Sequence, residues 1–294
     1  MAYQTIKLEK EGKIGRLVLN RPEKLNAIND TMLREIEAGL AELQKDSNIW
    51  VVIIKGAGGN FSAGQDLTGI DTAEVMPPDP NTKPFLSDLY EAAMKSYLRW
   101  QAIFDFPRWT IAQVEGYCLG MGCDLAMCCR TVIAAENSIF GDPSIRIGLS
   151  PTNPLWVWRI GLKKAKELLL TGKYIDGREA ERLGLVMKSL PAAQLEEEVA
   201  INADTLAKYG TIGGFDMQVG WFAFDRASFD MAGLAAGWRL ATNYHALSAA
   251  QRPGRSYIDR GGFDFHRVRE EKGMKEAIRQ RDLPFLKHFP MPKR

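Results

Sequence analysis

The run Val51 to Lys55, VVIIK, is apolar at every position but the last, and a stretch crowded with small residues follows at once, GAGGNFSAGQDL from Gly56 to Leu67. A continuous aliphatic run of this length suits a strand buried on both faces. Before it lies NDTMLREIEAGLAELQKD, where Leu33, Ile36, Leu40 and Leu43 recur at helical spacing and Asn29 or Asp30 can cap the start. Thr5 to Glu9 and Ile14 to Asn20 read as two strands around a turn at Glu11-Gly12-Lys13, with Arg21-Pro22 ending the second. Strand, helix, strand in that order predicts a right-handed crossover.

The pattern continues downstream. The cluster Pro77, Pro78, Pro80, Pro84 marks Asp71 to Phe85 as a loop, before a helix from about Ser87 to Phe104. Ile111 to Glu115 reads as a strand broken by GYCLGMG, then CDLAMCC as a buried helix and Thr131 to Ala135 as a strand. Short helices are expected at Pro154 to Ile160, Lys163 to Leu170 and Gly177 to Leu183, a late strand at Leu185 to Ser189, and a helix at Leu195 to Tyr209. The remainder reads as helices with loops, so the class is α/β with a helical C-terminal region.

Several functions have low weight. Net charge is +2 in 294 residues, with no basic stripe to meet nucleic acid. No stretch approaches the roughly 18 uninterrupted apolar residues of a membrane helix, and the opening MAYQTIKLEKEGK lacks the apolar core of a signal peptide. A cytoplasmic protein is the expectation. The four cysteines, Cys118, Cys123, Cys128 and Cys129, crowd one segment far from His245, His266 and His288. They read as buried reduced thiols rather than as a zinc site or disulfide frame.

Two turns match in character. GGNFSAGQD and GYCLGMGCD each leave a strand, are rich in small residues and contain an acid. Such a pair can aim two backbone N–H groups at one point, an oxyanion hole for a carbonyl oxygen. Neither is a phosphate loop: GxxxxGK[ST] is absent and GYCLGMG lacks GxGxxG spacing.

The motifs RPEKLNAIN (Arg21 to Asn29), FSAGQDL (Phe61 to Leu67), VEGYCLGMGCDLAM (Val114 to Met127) with CCRTVIAAENSIFGDPSIRIGLSP, and LLLTGKYIDGREAERLGLVMKSLP (Leu168 to Pro191) stand in series, with EEKGMKEAIRQRDLPF near the end. On these the chain resembles the enoyl-CoA hydratase/isomerase, or crotonase, superfamily. The resemblance implies a crotonase-like spiral of ββα turns over residues 1–205, and a helical C-terminal trimerisation and lid region over 206–294. It implies a homo-trimer or homo-hexamer and an acyl-CoA thioester substrate. No metal and no cofactor is expected beyond the coenzyme A that the substrate carries, and, from charge and hydropathy, no nucleic-acid or membrane partner.

By the same resemblance, Gln65 and Met121 are the oxyanion N–H donors, and Lys24, Leu25, Ala63, Asp66, Leu67 and Thr68 meet the coenzyme A moiety. Hydratases of the family place one glutamate three residues after the second donor and another about twenty residues later. Here Asp124 and Ser144 stand there. Asp124 keeps a carboxylate for acid–base work. Ser144 cannot act as a carboxylic acid, and Asp142 can substitute only if the backbone turns it inward. Hydration of an enoyl-CoA is the expected reaction. Double-bond isomerisation, carbon–carbon or β-oxoacyl-CoA hydrolysis, and a non-catalytic acyl-CoA-binding role stay open. In SPTNPLWVWRIG, where the family commonly has glycines, Asn153, Trp156 and Trp158 stand with two prolines. With Trp100 and Trp109 they suggest walls for a cyclic or aromatic acyl group. Arg252, Arg255 and Arg260 are candidates to meet coenzyme A phosphates.

Overall fold

The computed structural model describes residues 3–68, 85–147, 153–250, 263 and 265–292, by backbone alone at 209–219, 248–250 and 266. The prolines between Asp71 and Pro84, and Arg252, Arg255 and Arg260, lie outside the described residues.

Strands β1 (Ile6–Glu11) and β2 (Ile14–Leu19) form a hairpin. Helix α1 (Asp30–Lys45) follows, its N-terminus capped by the Asn29 side chain, which accepts from the Met32 N–H. It leads to β3 (Val51–Gly56). Helix α2 (Leu86–Phe104) precedes β4 (Trp109–Val114), β5 (Tyr117–Leu119), α3 (Met121–Cys128), β6 (Thr131–Ala135) and β7 (Ile139–Gly141). Next come a 3-10 turn at Pro143–Ile147, α4 (Leu155–Thr171), β8 (Ile175–Asp176), α5 (Gly177–Leu183) and β9 (Lys188–Leu190). The C-terminal part is α6 (Ala192–Met231), α7 (Leu234–Ala250), α8 (Phe265–Lys272) and α9 (Met274–Leu286).

The main sheet runs β1-β2-β3-β4-β6-β9, parallel from β2 onward. A second sheet, β5-β7-β8, branches from it where β4 hands over to β5. The alternation along β3 shows why the strand is apolar throughout. Val52 and Ile54 join the large core with the α1 stripe and Trp100 of α2, while Val51 and Ile53 face Leu195, Val199 and Ala203 of α6.

The two short helices expected after Pro154 are present: Gly161, at φ 75° and ψ 157°, is non-helical and separates two helical segments within α4. Other elements differ from the sequence reading. The helix expected to stop at Tyr209 continues to Met231. Glycines 210, 213 and 214 cost a helix about 1 kcal/mol each. Tertiary contacts on both sides of them override that cost: Leu195 and Val199 pack on the sheet, and farther along Phe222 meets Trp109, Asp225 pairs with Arg130 and Phe229 meets Phe104. Finally, β5, β7 and β8 are two or three residues each. That is too short for a periodicity to register.

Candidate active site

Two loops and a helix end converge beside the second sheet. In the first loop, the stretch from Ser62 to Asp66 is pinned on both sides. The Ser62 N–H donates to Tyr117 O (2.7 Å), and the Leu119 N–H returns to Ser62 O (3.0 Å). On the other flank, the Ala63 N–H donates to Leu25 O (2.9 Å), the Ile28 N–H to Gly64 O (2.7 Å) and the Asp66 N–H to Ile28 O (2.8 Å). The last two bonds straddle Gln65, so its own N–H is turned away from Ile28. Among the described residues it has no hydrogen-bond acceptor. Gly64 makes this approach possible. Its φ is +94°, and a Cβ there would sit 2.7 Å from Leu119 O.

The second loop ends in α3. The Gly120 N–H donates to Gly141 O (2.9 Å), and Gly120 itself has φ 48° and ψ −117°, conformations that glycine tolerates. Met121 is then the first helical residue, with an N–H that the helix cannot satisfy. No described residue accepts from it, and the helix dipole adds positive potential there. The Met121 side chain packs against the large core. The loops touch directly: a Cβ on Gly122 would lie 2.9 Å from both Cβ and O of Ser62. The two unpaired N–H groups, from separate turns, thus border one junction.

Asn26 holds the entry side. It is fully buried, with φ 54°, and follows Leu25 at φ 50°. Its Nδ2 donates to Ala57 O (2.8 Å) and Asn60 O (2.7 Å), its Oδ1 accepts from the Arg21 N–H (2.9 Å), and its carbonyl accepts from Ser62 Oγ (2.8 Å). Sequence reasoning had this residue only as part of a motif. Lys24 and Leu25 lie exposed at the rim, and Ala63 sits in the pinned segment. The Asp66 side chain turns inward: it pairs with Arg21 Nη2 at 2.8 Å and accepts from Thr68 N and Oγ1 at 3.0 and 2.5 Å. Burial alone would raise its carboxyl, but the Thr68 hydrogen bonds and the Arg21 charge outweigh that and hold it below the usual range. Its carboxylate therefore braces the loop and offers only main chain outward. The Leu67 side chain packs with Phe265, Val268 and Met274 of the C-terminal helices.

Asp124 stands one turn into α3 and donates its N–H to Gly120 O (3.0 Å). Burial, and then the nearby charge of Asp142, push its carboxyl well above the usual carboxylate range, while the Asn153 amide works the other way. Asp142 is itself buried, at the end of β7. Its Oδ1 accepts from Ser144 N at 2.9 Å and from Ser144 Oγ at 2.5 Å, and lies 3.9 Å from where a Gly120 Cβ would be. The backbone has thus turned Asp142 inward, and the Ser144 hydroxyl is committed to it.

Asn153 is buried, and its Oδ1 accepts from the Leu155 N–H at the head of α4 (2.9 Å). That fixes Nδ2 outward, beside the Asp124 carboxyl but outside hydrogen-bonding geometry, a buried donor without a partner. The sequence signal was an Asn-Pro pair ahead of an apolar run, typical of a helix start.

The tryptophans are dispersed. Trp100 and Trp156 belong to the large core, Trp158 is partly exposed, and Trp109 opens β4, at the opposite end of that strand from the site, with its ring against Phe222. The four cysteines are buried free thiols, and burial pushes up Cys118, Cys128 and Cys129, the last to about 12.

Residues 9–212 match the family model described as enoyl-CoA hydratase/isomerase. A "Probable enoyl-CoA hydratase" of Mycobacterium tuberculosis is 36% identical over 211 residues, covering 71% of this chain and 77% of the relative. A crotonyl-CoA hydratase of Syntrophomonas wolfei is 34% identical over 217 residues, covering 72% and 79%. Among solved structures, an enoyl-CoA hydratase/isomerase from Xanthobacter autotrophicus Py2 superposes with a TM-score of 0.83 at 26% identity, over 96% of this chain and 99% of that one. The fold likeness thus extends beyond the residues that the family model matches.

Proposed function

Since the chain belongs to the enoyl-CoA hydratase/isomerase family, we propose that it adds water to the double bond of an enoyl-CoA thioester and, in reverse, removes it. One observation carries this reading: two main-chain N–H groups from separate turns, both without acceptors among the described residues, border the junction from which Asp124 rises one helical turn away.

In this reading the thioester oxygen sits between the N–H groups of Gln65 and Met121. As water adds at Cβ, charge flows through Cα to that oxygen, where two fixed donors in a dehydrated site stabilise it best. Asp124 exchanges the proton at Cα. The coenzyme A moiety runs past Lys24, Leu25, Ala63 and the main chain of Gln65 to Thr68, with the exposed Lys24 ammonium toward phosphate. No metal and no cofactor beyond the coenzyme A of the substrate enters the scheme. We further propose a homo-trimer or homo-hexamer working in the cytoplasm, with the helical C-terminal part as its assembly and lid region. Among the described residues, no helix is long and apolar enough to cross a membrane.

The test is a panel of straight-chain, cyclic and aromatic enoyl-CoA thioesters, with β-oxoacyl-CoA esters, followed by product mass. Gain of one water by an intact enoyl ester is expected. An unchanged mass with an altered spectrum would make the protein an isomerase, and two fragments a carbon–carbon hydrolase. Asp124→Asn is expected to lower turnover by about 10²–10⁴-fold. Unchanged turnover would overturn the role of Asp124, and binding of coenzyme A esters without any turnover would leave a non-catalytic relative.

A further inference from the structure

We propose that Asp142, two residues ahead of Ser144, is the second proton-handling group of this site, that Ser144 is its positioning residue, and that Asn153 faces Asp124 to receive that carboxylate once it gives up its proton. This rests on the hydratase reading above and assigns the group that moves the proton of water.

The geometry argues it from three sides. Asp142 is buried, yet only one of its oxygens is engaged: Oδ1 takes both donors of Ser144, while Oδ2 has no hydrogen-bond donor among the described residues. Unlike Asn153 Nδ2, Oδ2 is not sealed inside the protein, so it is open to a water. Its location is set by the same strand end that fixes the second loop, since the Gly120 N–H donates to Gly141 O one residue before Asp142. Asp142 therefore moves with the Met121 donor. Opposite it, Asp124 senses its charge directly, and Asn153 Nδ2 points at Asp124 with no other acceptor.

The environments divide the labour. Burial raises both carboxyls, but two Ser144 donors favour the ionised form of Asp142, while Asp124 meets the Asp142 charge and no satisfied donor. One proton is shared unequally, and it resides on Asp124. In hydration, Asp142 Oδ2 takes a proton from water as the water oxygen bonds to Cβ. The π pair of the double bond forms the enolate, and Asp124 delivers its proton to Cα. Asp142 ends protonated and Asp124 ionised, with Asn153 Nδ2 donating to it. One proton passing from Asp142 to Asp124 restores the start, so the net change is one water added. Among the described residues, the other ionisable groups facing the pair are Tyr174 toward Asp142, and Cys118 and Cys128 toward Asp124. Burial keeps all three neutral at ordinary pH.

The experiment compares Asp142→Asn with Asp124→Asn in two assays: hydration of an enoyl-CoA, and exchange of the α-hydrogens of a saturated acyl-CoA with D₂O. Exchange needs the oxyanion donors and Asp124 but no water addition. The expected result is that D142N loses about 10²–10⁴-fold in hydration kcat with little change in KM, yet retains α-exchange, while D124N loses both. Hydration undiminished in D142N, or loss of α-exchange along with it, overturns the assignment of Asp142 and leaves Asp124 in place. Undiminished hydration in D124N would instead fell the underlying reading. Should D142N fail to fold, Ser144→Ala decides: the acid limb of its kcat/KM profile moves to higher pH, and Ser144→Thr restores it. An unmoved limb in S144A overturns the clamp.

Discussion

Asp124 makes a claim about stability as well as chemistry. Burial and the facing Asp142 raise its folded-state titration above that of an unfolded carboxyl. The folded state therefore binds the extra proton. The stability contributed by that proton is complete below the ordinary carboxylate range and is lost as pH rises through the raised folded value. At neutral and alkaline pH the residue is a liability kept for reactivity. Asp124→Asn removes the titration. Its Tm relative to the parent should rise over the range above about pH 4, by about 2–4 °C for each kcal/mol relieved in a domain of 150–250 residues. Differential scanning calorimetry across that range checks it, and a Tm difference flat with pH would contradict it. Asp66 behaves oppositely: its lowered carboxyl stabilises above the ordinary range and stops doing so in acid.

Among the elements, the 3-10 turn Pro143–Ile147 matters most, because Ser144 and Arg146 tie it to different neighbours. The Arg146 guanidinium is wholly buried, 3.2 Å from Asp282 of α9, over the Tyr174 ring at 4.3 Å, and its Nη2 donates to Gly172 O. Asp282→Asn would leave a buried cation short of its counter-charge, at a cost of about 3–5 kcal/mol. Urea denaturation should show that loss, and protease should cut α9 faster than in the parent. The lengths of α1, α2 and β3, and the two glycine turns, could be read from the chain because local periodicity and backbone freedom dictate them. What escaped were the three short strands of the second sheet and the continuation of α6 through its glycines. Both are settled by partners distant in sequence. The same holds within the site: the turn pattern pointed to a pair of N–H donors and the family resemblance to Gln65 and Met121, but whether Asp142 faced inward depended on the Gly120–Gly141 hydrogen bond, which no motif encodes.

For the whole molecule, α6 is a 40-residue rod whose first part lies on the sheet and whose end, with α7, presents Phe224, Met231, Leu240 and Tyr244 largely exposed. Apolar side chains in such number suit an interface between copies. Light scattering should give three or six times the 32.9 kDa of one chain, and a double F224D, L240D variant should fall to smaller species. A monomeric parent would refute the assembly. The paired acids of the site carry another implication. An aspartate has two side-chain torsions, so its oxygens go where its backbone goes, and Asp142 is only as well aimed as the edge of a three-residue strand. That strand is seated tightly, since a Cβ on Gly141 would meet the Tyr174 ring at 2.5 Å. Reactive geometry that tolerates only about 1 Å of error leaves no slack for a longer stem to absorb. Drift in the packing beneath Gly141 would therefore surface as slowed turnover well before it registered as unfolding.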